Sequence, residues 1–158
     1  MKKLLLTVVF GLLTSCGFAP MYSNNRALQA ELSDIYIAPI VGTNGIDLRN
    51  HLIQSWNTPN VEGAKYSLVV AIKEPVTIYK GLLRSGDATW EEVRMTASWT
   101  LSTEGKVIAR ADETASESYT FVSDLVSANA SKINAVQNVI RTIGEKIELK
   151  VNAKVKNL

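Results

Sequence analysis

Between Val93 and Leu101 the chain alternates without a break: Val93, Met95, Ala97, Trp99 and Leu101 are apolar, and Arg94, Thr96, Ser98 and Thr100 between them are polar. Successive side chains of a strand leave on opposite faces, so this stretch reads as a β-strand with one buried and one polar face. Such a strand needs a covering layer on one side only. A suitable layer lies near the C-terminus, where Ile133, Val136, Ile140, Ile143, Ile147 and Val151 step by three or four residues. That spacing makes one apolar stripe along a long helix, wide enough to cover a sheet. Gly144 within it costs ~1 kcal/mol relative to alanine without ending the helix. Lys146, Lys150 and Lys154 form a neighbouring line, which reads either as a solvated face or as a basic stripe for lipid phosphate.

The rest of the chain supplies the partners of this pair. Thr103-Glu104-Gly105-Lys106 predicts a hairpin turn, and Val107 to Thr114 returns with Val107, Ala109 and Ala111 inward and Arg110 and Asp112 outward. Ser116 to Asp124 reads as the link to the last helix. Upstream, Ser33 to Ile40 predicts a short first strand closed by Pro39 and Gly42. Asn44, with Asp47 three residues later, predicts the start of a helix whose apolar face is Leu48, Leu52, Trp56 and the adjacent Ile53. Asn57-Thr58-Pro59 stops it. His51 lies off that face and reads as a surface residue.

From Tyr66 the period changes to two, with Tyr66, Leu68, Val70 and Ile72 on one face and Ser67, Val69, Ala71 and Lys73 on the other, as in an interior strand. Glu74-Pro75 interrupts its ladder before Val76 to Tyr79 resumes it. Gly81 to Asp87 follows as a turn in which Leu82 and Leu83 are flanked by Lys80 and Arg84. Those leucines read either as a tip that meets a partner or lipid, or as hairpin residues folded onto the core. The expected architecture is α+β: a two-layer sandwich in which a four-stranded, mostly antiparallel or mixed sheet is covered by two helices, in the order β-α-β-β-β-α.

The N-terminus has a separate logic. Lys2 and Lys3 precede the apolar run Leu4 to Leu13, and Thr14-Ser15 leads into Cys16, the chain's single cysteine. The run is too short to span a bilayer. Positive start, apolar run, small residues and cysteine in this order form a bacterial lipoprotein signal. It predicts cleavage between Ser15 and Cys16, with a diacylglycerol and an N-acyl chain on Cys16. A lone cysteine cannot be half of an internal disulfide. Acyl chains gain ~0.8 kcal/mol per buried CH₂, so several of them anchor a protein firmly. The expected organisation is a signal peptide over 1–15, a lipidated tether over 16–32 and a single domain over 33–158. Losing Lys2 and Lys3 balances basic and acidic residues, so no basic footprint for nucleic acid remains.

Cys16-Gly17-Phe18, followed by Pro20, an apolar residue and Tyr22, resembles the start of the mature LPS-assembly lipoproteins, the LptE family, in particular its alphaproteobacterial branch. The predicted order of elements is similar to that family's across the mature chain. Gly17 in place of an inner-membrane retention aspartate implies sorting to the outer membrane. The resemblance implies a lipoprotein on the periplasmic side of that membrane, held to its inner leaflet, which inserts into the lumen of the LptD β-barrel, supports the barrel's assembly and interacts with lipopolysaccharide (LPS).

The residues are compatible with that role. A plug inside a barrel must present a polar surface to a polar lumen, and Arg94, Thr96, Ser98, Thr100, Arg110, Asp112 and Thr114 supply one. LPS carries phosphates and carboxylates, for which Lys80, Arg84, Arg94 and Arg110 are the candidate contacts. Each of these is otherwise a solvated or cross-strand-paired side chain. A different reading keeps the anchor and makes the protein a scaffold of another envelope machine, in barrel assembly or cell-wall attachment. An enzyme is not expected, and no cofactor or metal is called for. One histidine and an acylated cysteine leave only carboxylate pairs, and the neighbours Glu91-Glu92 and Asp112-Glu113 point to opposite faces of a strand.

Overall fold

The computed structural model describes residues 32–82, 88–120 and 124–157. Strand β1 (Ile35–Ile37) leads to helix α1 (Thr43–Trp56), followed by β2 (Tyr66–Ile72), β3 (Val76–Leu82), β4 (Ala88–Thr103), β5 (Lys106–Thr120) and helix α2 (Leu125–Val155). The expected signal peptide, Cys16 and almost all of the expected tether lie outside the described residues, as does Arg84.

The alternating strand organises the sheet. β4 extends beyond its alternating segment to 16 residues, about 50 Å of strand. One edge pairs with β5 from Trp90↔Thr120 to Thr103↔Lys106. Its other edge serves two strands in succession, β2 from Tyr66↔Thr103 to Ile72↔Ala97 and then β3 from Val76↔Arg94 to Leu82↔Ala88. Lys73 still donates to the Thr96 carbonyl at 2.9 Å. The ladder stops at Glu74-Pro75, where proline has no N–H to give, and resumes one residue out of step. The sheet therefore counts five strands but is four ribbons wide, and the interruption expected at Glu74-Pro75 is what splits one ribbon into two. β1 closes the far side of β2 in parallel, with Ile35↔Tyr66.

Both helices lie on one face. The core joins Leu48, Leu52 and Trp56 of α1 and Val139, Ile140, Ile143, Ile147 and Val151 of α2 to Tyr66, Leu68 and Val70 of β2 and Val93, Met95, Ala97, Trp99 and Leu101 of β4. Every apolar residue of the alternating segment is buried. At the start of α2 the stripe moves to Ala135, leaving Ile133 half exposed and Val136 partly so.

Three local expectations are corrected. Val107 faces out at 45% exposure, because the β4–β5 register shifts between Leu101 and Ser102. The shift turns Ile108 onto the core and Val107 away from it. Ser116 to Thr120 is strand rather than link, and brings Tyr119 inward. Helix α1 starts at Thr43, with Gly42 and not Asn44 at its N-cap position. A Cβ on Gly45 would lie 2.7 Å from Ile40 Cγ2 and 2.9 Å from its carbonyl oxygen. The helix thus begins in close contact with the strand exit, and Gly42 makes the bend at φ 87°.

Candidate functional site

The face of the sheet opposite the helices has no covering layer among the described residues. Along β4 it presents Trp90, Glu92, Arg94, Thr96, Ser98 and Thr100, and along β5 the paired positions Thr120, Ser118, Ser116, Thr114, Asp112 and Arg110. Short hydroxyl side chains dominate its middle, where the Thr96 and Thr114 hydroxyls share a hydrogen bond at 3.0 Å. All seven residues expected to form a polar surface, from Arg94 to Thr114, lie on this face.

The candidate cations separate into two groups. Lys80 and Arg94 both reach Glu92, Lys80 Nζ at 3.2 Å from Oε2 and Arg94 Nη2 at 2.6 Å from Oε1. The cation side chains stay 43% and 47% exposed, and that of Glu92 only 12%. Hydrogen bonding from Lys80, then from Arg94, holds the Glu92 carboxyl below its usual range against partial desolvation. Arg110 is exposed at the other end of the face, opposite Thr100. Beside the Lys80–Glu92–Arg94 cluster stand Trp90 at 51% and Val76 at 59% exposure, with Ser116 and Ser118 facing it from β5. The described chain enters beside Tyr66, whose N–H donates to the Asp34 carbonyl at 3.1 Å. Tyr66 pairs with Thr103, so the cluster lies toward the opposite end of β4.

The neighbouring carboxylates do point to opposite faces. Glu91 and Glu113 turn inward, where the Tyr119 hydroxyl donates to Glu91 and the Trp99 indole to Glu113. Burial first, and the Glu91 carboxylate second, push the Tyr119 hydroxyl above its ordinary pKa. Two lysines of the basic line on α2 are turned onto β5: Lys150 reaches Glu113 at 2.7 Å, and Lys146 donates to the Thr114 carbonyl at 2.6 Å. Both lysines remain exposed, as on a solvated face, while Lys146 also covers a backbone carbonyl of β5.

His51 is not a surface residue. It is partly buried between α1 and α2, and its Nε2 is buried without a hydrogen-bond partner. A Cβ on Gly144 would lie 2.3 Å from His51 Cδ2. The glycine interrupting the helical stripe is therefore the space the imidazole occupies. Glu92 is the residue of this cluster least visible in the sequence. The available signal was its place two residues before Arg94 on the alternating strand, while its contact with Lys80 depends on strand register.

The described residues thus form a sheet covered by helices on one face and open on the other. The comparisons agree at the level of fold. A Caulobacter crescentus chain described as a candidate lipoprotein superposes with a TM-score of 0.67 at 19% identity, over 84% of this chain and 98% of its own. Rare lipoprotein B of Shewanella oneidensis gives 0.63 at 11% identity, over 78% and 95%. A minor lipoprotein of Acinetobacter baumannii gives 0.53 at 15%, over 77% and 92%. The chain thus has the fold of rare lipoprotein B. No family model and no curated protein matches the sequence. Among the described residues no helix is long and apolar enough to cross a membrane.

Proposed function

We propose that the protein is a non-catalytic outer-membrane lipoprotein of the LPS-assembly machinery, of the alphaproteobacterial LptE type. In this reading Cys16 carries the acyl anchor on the periplasmic side, the domain seats in the lumen of an LptD-type β-barrel, and the open face of the sheet meets lumen wall and LPS. The observation that carries it is the long β4–β5 ribbon, one face of which is sealed by helices while the other is mostly serine and threonine with a few charges, and with Trp90 and Val107 exposed toward its two ends. The hydroxyl-rich middle of that face gains little by associating with an apolar surface. It suits a wet, polar enclosure, where hydroxyls exchange hydrogen bonds with water and partner groups at little cost. The fold shared with rare lipoprotein B and the lipoprotein signal support the same reading from independent sides.

The test is a mild-detergent pull-down of tagged full-length protein from outer membranes, beside a Cys16→Ala form, with co-purifying chains identified by mass. The expected result is a stoichiometric large β-barrel with a periplasmic domain, recovered with the lipidated form. Recovery of unrelated envelope proteins alone would replace this reading by that of a scaffold in another envelope machine.

A further inference from the structure

We infer that Glu92 is a built-in competitor of the anionic ligand: it occupies the Lys80–Arg94 cation pair in the free protein, and a phosphate group of LPS takes its place on binding. The inference rests on the proposed function for the identity of the ligand, and on geometry for the competition. Both cations point at one carboxylate, at 3.2 and 2.6 Å, so part of the donor set that would face a phosphate is already engaged and half of the pair's charge is already offset. Glu92 sits below them at 12% exposure while they remain 43% and 47% exposed. An anion arriving from the open side therefore meets the cations before it meets Glu92. A phosphate monoester brings up to two negative charges and three acceptor oxygens against one charge and two oxygens of the carboxylate, and that surplus opposes the cost of leaving Glu92 without its cations.

The surroundings fit an amphiphile that bears phosphate. Trp90 precedes Glu92 on the same face of β4, and Val76 pairs with Arg94, both of them half exposed. They offer an apolar ledge beside the charges, and Ser116 and Ser118 offer hydroxyls on the other side. While Glu92 is in place the cation pair carries one net positive charge instead of two. Weak monoanions then gain little from it, and the site discriminates in favour of multivalent phosphate.

The experiment is titration of purified wild-type protein and the Glu92→Gln variant with purified LPS and, separately, with inorganic pyrophosphate. Both are repeated in a Lys80→Ala/Arg94→Gln background. Glutamine keeps the shape and removes the charge, and a melting curve checks that each variant is folded. The expected result is about five-fold tighter binding by Glu92→Gln, the effect of one unit charge a few ångströms away in water, with the gain lost in the background lacking both cations. A gain with pyrophosphate but not with LPS would uphold the competition and remove LPS as the ligand. Equal binding by wild type and Glu92→Gln with both probes would overturn the inference, even where the barrel partner had been recovered and the broader reading stood.

Discussion

The indole nitrogen of Trp99 donates to Glu113 Oε1 at 3.1 Å, and Lys150 Nζ approaches the same oxygen at 2.7 Å from the helix above. One carboxylate thus ties β4, β5 and α2 together at a point where Trp99 is 3% and Glu113 4% exposed. Replacing Glu113 by alanine removes the indole's acceptor and leaves Lys150 beside a desolvated gap. Each orphaned buried group costs ~1–3 kcal/mol. Glu113→Ala is expected to lower Tm by roughly 5–10 °C in a thermal melt. Lys150→Ala is expected to cost less, because that side chain is half exposed and its charge is screened.

Helix α2 meets α1 through a fit that a single methyl group tests. In an open helix Gly144→Ala would stabilise by ~1 kcal/mol. Here the added Cβ lands 2.3 Å from His51 Cδ2 and 2.9 Å from Nε2, so the substitution is expected to destabilise. The double substitution His51→Ala/Gly144→Ala removes the clash. A double-mutant cycle of denaturant midpoints should give a coupling of at least 1 kcal/mol, since the two residues are in contact. Additive effects would mean that the ring moves aside freely.

That fit also shows where sequence reading reached its limit. Period two from Val93 to Leu101, the helical stripe from Ile140 to Val151 and the break at Glu74-Pro75 are local patterns, and each appears in the fold as written. What local pattern does not carry is partnership across the chain. Gly144 reads as a weak point until His51, far away in sequence, is seen to fill the space, and the exposed Lys146 and Lys150 show their contacts with Thr114 and Glu113 only once β5 comes beneath them. Val107 was misplaced for a related reason: a one-residue slip in register reverses the face of a side chain and leaves composition unchanged. Candidate cations were legible as residue types, whereas the sharing of Glu92 by Lys80 and Arg94 required the β3–β4 register.

Alkaline pH provides a test of the covered face. The Tyr119 hydroxyl is raised above its ordinary value near 10, by burial and by Glu91. A group whose folded pKa exceeds its unfolded one contributes stability that is fully present below the unfolded value and is lost as pH climbs toward the folded one. Stability is therefore expected to fall as pH rises above about 10. Tyr119→Phe should flatten that part of the profile, while costing stability at neutral pH because Glu91 loses its donor. Chemical denaturation at a series of pH values for both proteins reads the difference directly, and parallel profiles would show that other groups dominate the alkaline limb.

The open face should be separable from the fold. Ser98 is exposed at the middle of β4, with Ala71 and Asp112 on either side, and its side chain points away from both helices. A tryptophan there adds bulk to the polar field without entering the core. Surface changes of this kind stay within about 0.5 kcal/mol, so Ser98→Trp is expected to melt within a few degrees of wild type. If the face lies against the wall of a barrel lumen, the same substitution intrudes on a close-packed polar contact, and recovery of the barrel in the pull-down should fall several-fold. Ser55→Trp makes the matched control, since Ser55 is exposed on α1 in the opposite layer, hydrogen-bonded at 2.5 Å to Glu148 of α2. Loss of the partner with Ser98→Trp and not with Ser55→Trp would place the contact on the sheet, and the reverse outcome would move it to the helical layer.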